Sequence, residues 1–557
     1  MEAEKNSTLT ETEQSKEIYD SLRCRVEALL TNGIKGGVHK GGFAYYGNKK
    51  TGEDHFVGAG KASPAKPASP GSPASPTRAY TRETIIRFAS QSKLLGCLIF
   101  VKALEDGLLK VTDSVSDYLP EFKQTLSYYS PDGTTTTEFP GEDVKVSHLM
   151  SMSTGLGYYF SSWGRLNTIF GGLTGAPPLP FAEANRTRNA AVRSKLGDNL
   201  FWDWQFDTRI LKASKAPGFK LPSMKSYVGA LTSVPLLFKP GTNSLRGVVY
   251  GMDLDVLGAV VSVAIKRGTT FTSTWEYFKS SFLAPMNIQS FFQIGNKEKP
   301  AGLSAKLAQT AFARPVGSDA TFAPDPSQDY LDNAAGTLVW TSDYPEDGFG
   351  YNEDLFTKIL VENDPYQGYY GAGYGGTPAD YSKFFELIGN KGVFNKQRLL
   401  SENSVKFLLT PTLPEYISFG LESFNGDFNN FTSPNADVGK EGLLAFGYNE
   451  HWCLGIVKGN TAFVDSLYSK PYMSDTTIRW GSYYGTNYFY DYQTGNFVMA
   501  GVQEDANSQQ FENKDYESTN WASTIFSWLQ NGDAYKCDVV CGTNESMSTV
   551  RSLHLTI

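Results

Sequence analysis

No stretch of this chain is long and apolar enough to cross a bilayer. The longest apolar run, Val256 to Ile265, is far short of the roughly 20 residues that a spanning helix requires. The first residues, MEAEKNSTLTETEQSKE, are polar and acidic and lack the apolar core of a signal peptide. The expectation is therefore a cytoplasmic protein with no membrane partner. Basic charge is also in short supply: 50 Lys and Arg stand against 58 Asp and Glu, for a net charge of −8. That balance speaks against a nucleic-acid partner, which would want a basic face.

Cysteine and histidine are scarce as well, with five of each in 557 residues. Cys24, Cys97, Cys453, Cys537 and Cys541 are scattered and odd in number, so no disulfide framework is indicated. Cys97 sits in an apolar helical run and reads as a small core residue. Cys537 and Cys541 are close enough in sequence to pair or share a metal, yet read best as part of an idle tail. No His-x-x-x-His or paired Cys cluster suggests a metal site, and no cofactor is expected. Four Asn-x-Ser/Thr triplets, beginning at Asn6, Asn185, Asn430 and Asn544, carry little weight without a secretion signal.

Hydrophobic patterning organises what is present. Ile18, Leu22, Val26 and Leu29 recur at helical spacing in residues 17–31. GGFAYYGNKK and DHFVGAG read as two strands joined by a turn from Asn48 to Gly52. Residues 61–77 (KASPAKPASPGSPASPT) have the Pro, Ala and Ser content of a loop or insertion. SQSKLLGCLIFVKALEDG, beginning at Ser90, is apolar on nearly every side, which marks a buried helix, and Gly107 supplies its stop. Further helices are expected over 253–267 and 378–390. Strand-like runs, TNYFYDY and NFVMAGVQ among them, return over 446–503. Strands at both ends with helices between suggest one sheet built from the two termini.

The first chemical signal is Ser90-Gln91-Ser92-Lys93 at the start of the buried helix. Residues three apart share a helix face, so a serine hydroxyl and a lysine amine can meet there. Serine is a weak nucleophile until a neighbouring base takes its proton. Lysine can act as that base if burial or nearby cations keep it neutral. A helix cap beside a surface lysine is the ordinary alternative. The same spacing recurs at Ser63 and Lys66, in surroundings that make it accidental.

Other segments settle the weighing. RFASQSKLLGCLIFVKALEDGLLKVTDSVSDYLPEF resembles the nucleophile segment of the serine β-lactamase and penicillin-binding-protein superfamily. VSHLMSMSTGL, FKPGTNSLRGVVYGMDLDVLGAVV, GYGGTPADYSKFFELIGNKGVFNKQRLLSENSV and IRWGSYYGTNYFYDYQTGNFVMAG follow in the family's order. The likeness covers roughly residues 17–530. It is nearest the family VIII carboxylesterases and lovastatin-type acyltransferases, in which an Asp-Val-Leu-Gly-like helix follows the second-motif tyrosine, as at Tyr250 here.

The resemblance implies an α+β, β-lactamase-like fold: an antiparallel sheet flanked by helices, plus a mostly helical subdomain. It would occupy residues 17–535 with an insertion at 61–77, between tails at 1–16 and 536–557. Ser90 would be the nucleophile, Lys93 its base and Tyr250 a proton relay. The third motif maps to Trp480, Gly481 and Ser482, as substrate-binding residues, with Ser482 standing where the family usually has Gly. The backbone N–H groups of Ser90 and Tyr483 would form the oxyanion hole. His148 corresponds to a structural histidine of the family, whose second histidine is Met152 here. The aromatics between Tyr158 and Trp204 would border the cleft, most of them as packing.

The implied activity is hydrolysis or transesterification of small neutral carboxylic esters through an acyl-serine. The alternatives are a β-lactamase or D-amino-acid peptidase, and an inactive binding or scaffold homologue. Arg479, next to Trp480, would point to the opposite side of its strand. It therefore does not offer the cation that holds an anionic substrate.

Overall fold

The structure, a computed structural model, describes residues 11–35, 39–65, 76–130, 135–157, 224–241, 251–293, 296, 298–315, 336–340, 366–367, 370–412, 450–459, 473–482, 484–504 and 517–531. Both families of element foreseen above are there, and they form the β-lactamase-like arrangement of helices and antiparallel sheet.

Helix α1 (Glu11–Lys35) precedes the hairpin of β1 (Gly41–Asn48) and β2 (Glu53–Gly60). Its first turns lie in what the sequence reads as tail. From the other end of the chain come β6 (Glu450–Trp452), β7 (Val457–Gly459), β8 (Thr477–Gly481), β9 (Thr486–Asp491) and β10 (Asn496–Gly501). They join the hairpin in one seven-stranded sheet of order β6-β7-β8-β9-β10-β1-β2, antiparallel throughout. The β1–β10 pair, with Tyr45 opposite Met499, closes the sheet across more than four hundred residues of sequence.

Alternation along the strands gives the sheet two working faces. Ala44, Tyr46, Phe489, Val498 and Ala500 face one way and pack with α1 and with Trp521, Ile525 and Phe526 of α6 (Glu517–Asn531). Tyr45, Ile478, Trp480, Tyr488 and Met499 face the other way and share the main core with the central helices. This second face is the one that meets the Ser90 segment.

That segment winds into a 3-10 turn over Ala89–Gln91 and then helix α2 (Ser92–Glu105). Ser90 therefore precedes the α-helix proper. Eleven of the fourteen residues of α2 are buried, as its all-round apolar sequence predicts. Gly107, at φ 72°, ends it in the left-handed conformation that only glycine adopts at no steric cost. Gly96 lets Tyr370 lie directly on the helix backbone. A methyl group there would come within 2.3 Å of the Tyr370 ring, so Gly96→Ala forces the ring or the helix to move.

Helix α4 (Asp253–Gly268) packs against both α2 and α3 (Val146–Met150), and α5 (Pro378–Gly389) lies beyond. A small antiparallel sheet of β3 (Ile86–Arg87), β4 (Phe292–Gln293) and β5 (Tyr374–Gly376) leads the chain into the Ser90 turn.

Cysteine usage corrects one expectation. Cys24, on α1, is disulfide-bonded, with its partner outside the described residues; Cys97 and Cys453 are free and buried. Among the described residues, no helix is long and apolar enough to cross a membrane.

Candidate active site

Ala89, just before Ser90, holds a φ of 43° although it is not glycine. A left-handed residue of this kind costs free energy and persists where its surroundings over-determine it. Those surroundings are visible on three sides. Gln91 Nε2 donates to the Thr486 carbonyl of β9 at 3.0 Å. The Tyr381 hydroxyl of α5 donates to the Gln91 carbonyl at 2.9 Å. The Tyr374 N–H of β5 donates to Ser92 Oγ at 3.0 Å. The Ser90 turn is thus pinned to the large sheet, a helix and the small sheet together.

Ser90 and Lys93 meet as their spacing predicts. Lys93 Nζ lies 3.0 Å from Ser90 Oγ and 2.8 Å from the Gly371 carbonyl oxygen. Lys93 is wholly buried, and Ser90 keeps 6% of its surface exposed. A surface lysine beside a capping serine is therefore excluded. Burial disfavours a charged amine. An arrangement of this kind can pass a proton from hydroxyl to amine along a hydrogen bond already formed.

Asp255 was not singled out by the sequence reasoning. It lies in the first turn of α4, where an acidic residue is favoured by the helix dipole and needs no other explanation. Here it is buried, and its Oδ1 accepts the Gly371 N–H at 2.9 Å. Burial pushes its carboxyl up to about 6, with the neighbouring Lys93 charge acting against that rise. Gly371 links the two residues, and no local pattern in the sequence marks it.

Tyr250 and Tyr483 lie outside the described residues, as does the aromatic stretch at 158–206. Both flanks of the Tyr250 segment are nevertheless fixed. On one side the Gly241 N–H donates to the Ser153 carbonyl at 2.8 Å and that of Leu237 to the Gly155 carbonyl at 3.0 Å. On the other, Asp253 Oδ1 accepts from the Thr154 hydroxyl and backbone N–H. Residues 153–155 therefore tie together the two ends of the segment that carries Tyr250.

His148 lies against Gly241. Its Nδ1 accepts the Lys145 N–H at 3.2 Å, and a methyl group on Gly241 would come within 2.5 Å of its Nε2. Burial, with the positive charge of Lys145, holds its pKa below the ordinary value. It buttresses its own turn, in keeping with a structural reading. Met152 is wholly buried with a φ of 53°.

At the end of β8, Trp480 is 2% exposed and belongs to the same core as Tyr488, its cross-strand neighbour. Arg479 points to the other face, its guanidinium 5.8 Å from the Phe489 ring centroid. Strand alternation thus keeps the cation away from the Ser90 side, as expected. Ser482 is buried in the turn that follows. Its N–H donates to the Thr486 carbonyl at 2.7 Å and its Oγ accepts the Tyr484 N–H at 3.1 Å. Its hydroxyl is thus engaged by the turn's own backbone.

The family model described as Beta-lactamase matches residues 51–245. The acyltransferase calJ of Penicillium decumbens is 24% identical over 236 residues, covering 42% of this chain and 44% of that protein. The match therefore spans less than half of that relative. EstCE1, described as a hydrolase with promiscuous acyltransferase activity, has a TM-score of 0.52 at 16% identity, covering 90% of this chain and 99% of its own. Simvastatin synthase (LovD) from Aspergillus terreus has a TM-score of 0.56 at 14% identity, covering 92% and 99%. The match of residues 51–245 to the Beta-lactamase family model and the likeness to these two structures show that the chain has a β-lactamase-like fold.

Proposed function

We propose that the protein is a serine ester hydrolase or transesterase that works through an acyl-serine intermediate on neutral carboxylic esters. The observation that carries this reading is the 3.0 Å approach of a wholly buried Lys93 amine to the Ser90 hydroxyl. In the proposed reaction, neutral Lys93 takes the Ser90 proton as Oγ attacks the ester carbonyl carbon. The carbonyl oxygen gains negative charge, which the N–H groups of Ser90 and Tyr483 stabilise. Tyr250 delivers a proton to the leaving alkoxide as the C–O bond breaks. Water or an acceptor alcohol then attacks the acyl-serine, with proton transfers in the reverse sense.

The preference for neutral esters rests on charge. A β-lactamase or D-amino-acid peptidase would want a cation beside the third motif to hold a substrate carboxylate. Trp480 offers one N–H and an apolar face, and Arg479 is occupied on the far face of the sheet. Trp480, Gly481 and Ser482 would border the substrate, with Trp480 offering an edge rather than a broad wall because so little of it is exposed. The test compares kcat/KM for short-chain p-nitrophenyl esters with that for a chromogenic cephalosporin. Esters should be turned over far better. Cephalosporin turnover equal to or above that of the esters would overturn the substrate assignment.

A further inference from the structure

The reaction scheme above leaves Asp255 without a part, although it is a buried carboxylate next to the proposed base. A lysine amine is a poor instrument unless it is held: it carries three rotatable donors at the end of a flexible four-carbon stem. In this structure the hold comes from Gly371, whose carbonyl accepts from Lys93 Nζ at 2.8 Å. Gly371 is itself held by Asp255, whose Oδ1 accepts its N–H at 2.9 Å. The fit is tight, since a methyl group on Gly371 would lie 2.1 Å from Asp255 Oδ2. Three parts of the chain, α4, the residues before β5, and α2, thus form one connected path that ends at Ser90 Oγ.

We propose that Asp255 is a positioning residue for acylation, clamping Gly371 so that its carbonyl fixes the Lys93 amine against the Ser90 hydroxyl. The inference rests on the assignment of Ser90 and Lys93 made above. Asp255 needs no contact with substrate to act in this way. Its charge has a second, separable effect, because an anion near Lys93 favours the protonated amine. Among the described residues, the charge of Lys93 on α2 acts on Asp255, that of Asp255 acts on Tyr374 of β5, and Asp253 lies two residues before it on the same helix.

The experiment measures the rate of Ser90 labelling by a fluorophosphonate probe from acid to alkaline pH, in the wild type, Asp255→Ala and Asp255→Asn. Thermal unfolding of each variant confirms its fold. Asp255→Ala removes the clamp and should lower the alkaline plateau by about 10²-fold, the scale expected for misplacement of a catalytic group. Asp255→Asn keeps an acceptor for the Gly371 N–H and should restore most of the plateau. It should also move the acid limb to lower pH, because Lys93 no longer has the anion beside it. A merely structural residue would not move that limb. Wild-type rates and limb in both variants would overturn the inference, as would equal losses in both with the limb unmoved. Should Asp255→Ala fail to fold, the limb and plateau of Asp255→Asn decide alone. If wild-type Ser90 is never labelled, the parent assignment falls too; if it is labelled and the Asp255 variants match it, only this inference falls.

Discussion

Ser63-Pro64-Ala65-Lys66 and Ser90-Gln91-Ser92-Lys93 have the same spacing in one chain; Lys66 lies outside the described residues, but the two serines stand on different backbones. Burial does not separate the two serines, since Ser63 is 1% exposed and Ser90 6%. The backbone does. Ser63 sits in an extended bridge to Arg78, with its hydroxyl donated to the Pro64 carbonyl at 3.1 Å. The proline that follows it disfavours helical geometry at that position. Ser90 sits in a 3-10 turn continuous with α2, where three residues bring the chain back to one face and the lysine amine to the hydroxyl. The spacing alone does not make this contact; the 3-10 turn that runs into α2 does.

The largest effect that would sharpen this contrast comes from removing the hydroxyls in turn. Ser90→Ala should abolish fluorophosphonate labelling and ester turnover, while Ser63→Ala leaves both near wild type. Loss of labelling in Ser63→Ala alone would reverse the comparison.

Next in size are the proton-transfer partners. Lys93→Ala and Tyr250→Phe should each lower the acylation rate by about 10²–10⁴-fold with the fold intact by circular dichroism. Near-normal turnover in folded Tyr250→Phe would remove Tyr250 from the scheme.

Smaller again is the consequence of crowding the Gly371 link. Gly371→Ala drives a methyl group into Asp255 Oδ2, a strain on the order of 1–3 kcal/mol. The melting temperature should fall, and kcat should fall with KM little changed, since the substrate surface is untouched. A raised KM at unchanged kcat would place Gly371 in substrate binding instead.

The smallest effect is expected at His148. His148→Asn keeps a side-chain acceptor that can reach the Lys145 N–H, so kcat/KM should stay within a few-fold of wild type. A loss as large as that of Lys93→Ala would bring histidine into the proton path.

Much of this site was legible because its signals are local. The paired strands around Asn48 to Gly52, the all-round apolar α2 and the opposed directions of Trp480 and Arg479 all follow from periodicities of two and 3.6 residues. Other features escaped because they depend on distant partners. Asp255 resembles any acidic residue at a helix start until Gly371, more than a hundred residues later, folds onto it. The positive φ of Ala89 is imposed by contacts from Thr486, Tyr381 and Tyr374, none of them near in sequence.

The central claim, an acyl group carried on Ser90, is tested most directly by rapid quenching during turnover of a short-chain p-nitrophenyl ester, followed by intact-mass measurement and peptide mapping. The account predicts a single added acyl mass on the peptide containing Ser90, absent from Ser90→Ala. An acyl mass on the Ser63 peptide, or ester turnover with no adduct at any quench time and full activity in Ser90→Ala, would contradict it.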